Sequence, residues 1–266
     1  MKKCLVSYSQ FDEDLILFNA LNDIDKVFWI DVGANDPVHL SVTKLFYDRG
    51  GRGINIEPQP FYSDDYKILR PRDINLQVGV SDVSGVLPLY GEGVEASFIK
   101  SECNSKVNGN IPIKRLDDIL DELIGDDNSQ IHFLKIDVED LEEQVLKGMN
   151  FKKYRPWIIL IEAHNHDWEE LITTNNYDFV MSDDVNRYYV SNEHSNMISR
   201  MKKYEKLYED YYVIKAGGSA EIDMYKRQVR DLRNSVSYRI TKPIRVISGL
   251  VIRTINIVKS RRNVKC

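Results

Sequence analysis

Along roughly the first 190 residues, short apolar runs alternate with segments whose apolar positions recur every three or four residues. Val27 to Val32 is a run of the buried-strand type, and it ends in the turn-rich Gly33-Ala-Asn-Asp-Pro37. Ser41 to Arg49 reads as a helix: Val42, Leu45 and Phe46 share a face, Ser41 can cap the start, and Gly50-Gly51 stops it. Gly53 to Glu57 predicts a second strand and Ile74 to Val80 a third, with a helix in the Pro-bounded, charged stretch 58–71. A hairpin-like passage follows, Ser81 to Gly85 and then Val86 to Tyr90, and after it a polar loop through Asn110. The alternation resumes with a strand from Ile131 to Asp137, a helix from Leu141 to Lys147 and a strand from Trp157 to Glu162. A helix from Trp168 to Thr174 and an antiparallel pair, Tyr177 to Met181 with Tyr188 to Val190, complete the series. This order predicts an α/β fold: a mostly parallel, doubly wound sheet covered on both faces and ending in an antiparallel hairpin.

Beyond residue 197 the pattern changes. Met201, Tyr204, Leu207, Tyr208, Tyr211 and Ile214 recur at helical spacing, Ala216-Gly-Gly-Ser219 interrupts, and Ile222, Tyr225, Val229, Leu232 and Val236 resume. The expected organisation is a body, 1–197, and a helical C-terminal extension, 198–266. Charge sharpens the division, since residues 200–266 carry 17 Lys or Arg against 6 Asp or Glu, while the remainder carries 19 against 35. The formal net charge of −5 thus hides a basic tail on an acidic body. From Pro243 to Lys259, Ile244, Ile247, Leu250, Val251, Ile255 and Val258 can share one face beside Arg245, Arg253 and Lys259. That pattern suits a helix lying on an anionic membrane surface, or one packed on the body or a partner protein. Nucleic acid is not expected as a partner of so acidic a body.

Composition narrows the classes further. At 42% hydrophobic and 29% charged residues, the chain of 266 is neither disordered nor collagenous. No run approaches the ~18 apolar residues of a membrane span, and the N-terminus turns acidic where a secretion signal needs its apolar stretch. Cys4, Cys103 and Cys266 are too few and too scattered for a disulfide framework or a thiolate metal site, so a reducing cytoplasm is the expected location.

In doubly wound sheets the ligand crevice opens at the carboxyl ends of the strands. Here polar residues stand at each such end: Asp31, Gly33 and Asn35 after the first strand, Glu57 after the second, and Ser81 and Asp82 after the third. Asp137 and Glu139 follow the fourth, and Glu162, Ala163 and His164 the fifth. Gly33 would let the backbone pass close to a ligand, and Glu57 stands where an acidic side chain holds two ribose hydroxyls. The Gly-rich turn that brings amides to a pyrophosphate is absent, and the acidic flanks Asp31 and Asp36 would repel phosphate. They suit a ligand bearing an ammonium and a sulfonium, such as S-adenosylmethionine. A metal reading of His164-Asn-His166-Asp167 lacks a third well-placed His or Cys, so no metal site is expected.

The motifs Phe28-Trp-Ile-Asp-Val-Gly-Ala-Asn-Asp-Pro-Val-His-Leu-Ser-Val-Thr43, Arg52-Gly-Ile-Asn-Ile-Glu-Pro58, Lys135-Ile-Asp-Val-Glu139, Val145-Leu-Lys-Gly148 and Ile161-Glu-Ala-His164 closely resemble the FkbM family of S-adenosylmethionine-dependent methyltransferases. Asn186 to Val190 resembles its closing strand and Ser9 to Leu15 its leading helix, so the likeness spans roughly residues 8 to 192. It implies a Rossmann-like methyltransferase fold and methylation of a hydroxyl on a sugar or polyketide-type acceptor. Carried onto these positions, it implies that Asp31, Gly33 and Asn35 hold the methionine end of the donor, Glu57 the ribose and Asp82 the adenine amino group, with Ser81 beside it. Asp137 and Glu139 would face the donor, and His164 is the first candidate for general base, with Asp137 and Glu139 the alternatives. Two positions depart from the family: Asp140 replaces the glycine that usually follows Lys-Ile-Asp-Val-Glu, and Ser182-Asp-Asp184 stands where an Asp-Gly turn is common.

Ser237-Tyr-Arg-Ile-Thr-Lys-Pro-Ile-Arg245 resembles a run found in bacterial glycan-assembly proteins, which favours a sugar acceptor over a polyketide. The resulting expectation is a cytoplasmic sugar O-methyltransferase of surface polysaccharide or lipopolysaccharide biosynthesis. Its tail would meet the inner membrane face or a glycan-assembly protein. The competing expectation is a catalytically silent glycan-binding or scaffold module.

Overall fold

The structure, a computed structural model, describes residues 3–92, 96–100, 106–125, 130–164 and 167–216. In chain order the elements are β1 (Lys3–Ser7), α1 (Glu13–Ala20), β2 (Phe28–Val32), α2 (Lys44–Asp48), β3 (Arg52–Ile56), α3 (Pro60–Leu69) and β4 (Ile74–Leu76). There follow β5 (Gly79–Ser81), β6 (Gly85–Tyr90), β7 (Val107–Arg115), α4 (Leu116–Leu123), β8 (Phe133–Ile136), α5 (Glu142–Lys147) and β9 (Ile158–Glu162). The last are α6 (Glu169–Thr173), β10 (Tyr177–Ser182), β11 (Asn186–Ser191), α7 (Ile198–Met201), α8 (Leu207–Asp210) and β12 (Tyr211–Lys215).

Seven strands form the central sheet in the order β10-β11-β9-β8-β2-β3-β4, with β11 antiparallel to both its neighbours and the β9-to-β4 pairs all parallel. This is the mostly parallel sheet with an antiparallel terminal pair that the alternation of elements predicts. Side chains alternate across it with a period of two, which sorts them onto two faces. One face carries Ile30, Val32, Ile54, Ile56, Leu134, Ile136, Ile159 and Ile161. They form a single core with Leu116, Ile119 and Leu120 of α4, Val145 and Leu146 of α5, and Ile172 of α6. The other face carries Trp29 and Phe133, stacked with centroids 6.2 Å apart, and Phe46 of α2 packs on both. On β2 and β8 that face carries only aromatic or polar residues, Trp29 with Asp31 and Phe133 with Lys135, and it leads into the strand-end chemistry.

Arg70 at the end of α3 is fully buried on the same side. It pairs with Asp73 at 2.8 Å and donates to the Pro37 carbonyl at 3.0 Å and to Thr43 Oγ1 at 3.0 Å, with its guanidinium over the Tyr47 ring. A charge taken fully out of water is tolerable only when paired and hydrogen-bonded in this way. Its effect is to pin the Pro37–Thr43 connection beneath the carboxyl end of β2.

Several expectations are corrected. The third strand is two: β4 adds to the central sheet, whereas β5 belongs to a separate sheet of order β5-β7-β6. The passage Ser81 to Tyr90 is accordingly no hairpin with β5, because β6 pairs antiparallel with β7, a nine-residue strand where a polar loop was expected. All of β7 but Ile111 and Ile113 is exposed or half-exposed, which is why its sequence lacks an apolar run. Helix α2 starts at Lys44 after Thr43, without a side-chain cap, so Ser41 is not its cap. The compact unit also extends past residue 197, to Gly218, because α7, α8 and β12 continue it and β12 pairs in parallel with β1. The Tyr211-to-Ile214 part of the expected helical tail is therefore a strand. The second unit, Ser219 to Cys266, lies outside the described residues, as do the 237–245 motif and the 243–259 stretch. Among the described residues no helix is long and apolar enough to cross a membrane.

Candidate active site

Asp31 on β2 stands in register with Asn55 on β3 and with Lys135 on β8, so the three side chains emerge from one row of the sheet on one face. The Lys135 ammonium lies 3.4 Å from Asp31 Oδ1 and 3.1 Å from Asp137 Oδ2, and donates to the Gly33 carbonyl at 3.0 Å. The second Asp31 oxygen accepts from Thr43 Oγ1 at 3.3 Å. A buried polar chain thus runs from Asp73 through Arg70, Thr43 and Asp31 to Lys135 and Asp137. Burial pushes the Asp31 carboxyl up, against the pull of Lys135 and Arg70. Burial alone would lower the Lys135 ammonium, but Asp137 and Asp31 outweigh it and hold it above its ordinary range.

After β2 the chain turns through Gly33 at φ 78° and Asn35 at φ 49°. Gly33 is required by the protein itself: a Cβ there would lie 1.6 Å from the Asp137 carbonyl oxygen. The close approach foreseen from this glycine is thus to the end of β8. The turn is held by Gly33 and Ala34 N–H groups donating to the Ile56 carbonyl, by Tyr66 Oη donating to the Ala34 carbonyl at 2.9 Å, and by Glu57. Glu57 accepts the N–H of Asn35 and of Gln59, each at 2.8 Å, on its two oxygens. Its carboxyl is pushed up to about 7 by burial, with those two N–H groups pulling the other way.

A second group forms where β8 and β9 end. Asp137, Glu139 and Glu162 each bring a carboxylate oxygen within 4.8 Å of the others, donors of the type a hard divalent cation takes. Glu162 is 12% exposed, and its buried Oε2 has no hydrogen-bond partner among the described residues. Its carboxyl is pushed up to about 9, first by burial and then by Asp137; Glu139 is pushed up to about 7 by the same two causes, with His164 opposing. Like charges this close oppose full ionisation of the group, and the upward push is strongest on Glu162. His164 is 56% exposed, with Nε2 3.7 Å from Glu162 Oε1 and Nδ1 3.5 Å from Asp140 Oδ1. Ser97 of the small-sheet segment donates to the Glu139 carbonyl at 3.1 Å, so this group also meets the chain that flanks β6.

The structure therefore brings Asp31, Gly33, Asn35, Glu57 and Asp137 together, with Glu139 beside Asp137 and His164 beside Glu162. Ser81 and Asp82 are not part of the central sheet. They end β5 in the small sheet, where Ser81 Oγ donates to Asp82 Oδ1, the Asp82 carbonyl accepts from Arg115, and the Ser81 carbonyl packs against Gly148. The residues that sequence reasoning passed over are Lys135, Thr43, Arg70 and Tyr66; Glu162 was placed at its strand end but given no role. Lys135 had a legible signal, a lysine inside the buried strand Phe133-Leu-Lys-Ile136; Arg70 and Tyr66 had none, since they act from a charged helix. His166 lies outside the described residues, so the His164–Asp167 cluster is not testable by geometry.

The sequence profile described as the Methyltransferase FkbM domain matches residues 31–208. The chain belongs to the FkbM methyltransferase family. The match to this FkbM methyltransferase begins at Asp31 itself and ends within α8, so it contains both strand-end groups and agrees with the compact unit's extension past residue 197. Asp140, where the FkbM family usually has glycine, adopts φ 73° and follows Glu139 at φ 55°. That left-handed conformation is one glycine adopts without strain, and the N-cap of α5 is Leu141. No curated protein matches the chain.

Proposed function

We propose that this methyltransferase is an S-adenosylmethionine-dependent O-methyltransferase acting on a sugar hydroxyl in surface polysaccharide or lipopolysaccharide biosynthesis. The observation that carries the reading is the charge of the strand ends. Asp31 and Asp137 flank one buried ammonium there, Glu57 also feels its charge, and Glu139 and Glu162 stand beside Asp137, an acidic set that suits a cationic ligand and repels a pyrophosphate.

In this reading Asp31, Gly33 and Asn35 hold the methionine end, with Asp137 beside them, and Glu57 accepts the ribose hydroxyls. Ser81 and Asp82 serve the adenine from the small sheet. S-adenosylmethionine, when bound, supplies a methyl carbon on a positively charged sulfur that leaves as a neutral thioether. The chain's part is to align the acceptor oxygen with that carbon, exclude water, and take the hydroxyl proton as the oxygen–carbon bond forms. His164, exposed beside Glu162 and Asp140, accepts that proton; Glu139, poised near neutral, and Asp137 are the alternatives. Burial and the neighbouring Asp137 raise Glu162 and favour its protonated form at neutral pH, so the role of base is not given to it.

The acceptor is a nucleotide sugar or glycan on the cytoplasmic side, and the basic amphipathic stretch 243–259 brings the enzyme to an anionic membrane face or an assembly partner. Asp140 in a glycine conformation beside His164 favours a second reading, a silent glycan-binding or scaffold module that keeps the fold without turnover. Calorimetric titration with S-adenosylmethionine, beside Asp31→Asn, tests the first. Binding by the native protein and its loss in the variant are expected, followed by methyl transfer to a panel of sugar acceptors. A folded native protein that binds no donor would refute the enzyme reading; binding without transfer to any acceptor would favour the silent module.

A further inference from the structure

Lys135 stands between the donor-side residues and the carboxylates of β8 and β9. An ammonium inside a buried strand carries a desolvation cost of several kcal/mol, which only close partners offset. A structural ion pair would need one carboxylate. Lys135 instead serves two, Asp31 at 3.4 Å and Asp137 at 3.1 Å, and spends a further N–H on the Gly33 carbonyl at 3.0 Å. Gly33 is also the residue whose φ of 78° and zero clearance to the Asp137 carbonyl leave no other side chain possible. The ammonium therefore ties the end of β2, the turn after it and the end of β8 to one point. It also allows two carboxylates on neighbouring strands to stay near one another.

Resting on the S-adenosylmethionine reading, we propose that Lys135 is the positioning residue of the methyl-donor pocket, its ammonium fixing the Gly33 turn and aiming the Asp31 and Asp137 carboxylates before the donor arrives. A preset turn spares the donor the cost of ordering it, so the effect is on affinity. Charge and hydrogen bonding do this, and the aliphatic stem does not.

The test compares Lys135→Met, which keeps the stem, with Lys135→Arg, which keeps the charge. Binding of S-adenosylmethionine is followed by calorimetry and folding by thermal melting. Lys135→Met should bind at least about tenfold more weakly than the native protein, and Lys135→Arg should recover to within about threefold. Should Lys135→Met fail to fold, the native protein labelled with nitrogen-15 at lysine Nζ gives the answer. Its slowly exchanging ammonium resonance, absent from Lys135→Arg, should move as the donor saturates. Native binding with an unweakened Lys135→Met, an unrescued Lys135→Arg, or a resonance that stays fixed overturns the role of Lys135 alone. A native protein that binds no donor overturns the donor reading and this role together.

Discussion

Replacing Glu162 by glutamine should stabilise the protein at neutral and alkaline pH. The carboxyl group sits at the end of β9, 12% exposed, with one buried oxygen lacking a hydrogen-bond partner among the described residues and with Asp137 and Glu139 against it. These surroundings raise it from the ordinary 4.5 to about 9. A carboxyl raised in the folded state contributes its stability below the unfolded value, and that stability is lost as pH climbs through the folded value. At pH 7 the folded protein therefore holds a proton that the unfolded chain has released. At ~1.4 kcal/mol per pH unit this amounts to a ceiling of about 3 kcal/mol. Coupling within the carboxylate cluster and solvent screening bring the expected figure to about 1–2 kcal/mol. Glutamine has nearly the shape of the protonated acid and carries no such penalty. Urea denaturation of the native protein and Glu162→Gln at pH 5, 7 and 8.5 should show the variant near parity at pH 5 and progressively more stable above it. Parallel pH profiles, or a variant less stable at pH 8.5, would refute the electrostatic account of this cluster.

Four further outcomes are expected. Asp140→Gly should raise the urea midpoint, by about 0.5–1 kcal/mol of stability, because it relieves a left-handed backbone at φ 73° and removes a charge beside Glu139; an unchanged or lower midpoint would count against it. Gly33→Ala should cost at least about 3 kcal/mol or abolish folding, since its Cβ has no room beside the Asp137 carbonyl, and a native-like denaturation curve would contradict the packing. Arg70→Met should lose about 3–5 kcal/mol by leaving Asp73 buried and unpaired, measured in the same way. Donor affinity should rise between pH 6 and 8 as Glu57, raised to about 7, ionises and becomes a better acceptor for hydroxyls. Calorimetry on Glu57→Gln should find that dependence gone.

Much of the molecule was legible in the residue pattern because its causes are local. The apolar runs of β2, β3, β8 and β9 bury on both faces, so each reads as a continuous stretch, and the polar residues at their carboxyl ends mark the crevice without reference to any neighbour. Asp31, Gly33, Asn35, Glu57, Asp137, Glu139 and His164 were all named in this way, and the structure places them at or just after those strand ends. What the pattern hid is decided by partners far away in sequence. β7 is exposed or half-exposed but for Ile111 and Ile113 and acquires its identity by pairing with β5 and β6; β12 becomes a strand because β1, some 200 residues earlier, offers it an edge. The same physics separates Ser81 and Asp82 from the central sheet, since β4 gives up its pairing with β3 after Leu76. Proton affinity is likewise a tertiary property: Glu162 and Glu57 are ordinary glutamates in sequence, and only burial and the carboxylates packed beside them move their titration toward and beyond neutrality. Sequence alone determines which strands form and which acids stand at their ends; the packing determines that one lysine joins Asp31 to Asp137, because a register pair and a period of two bring their side chains to the same face.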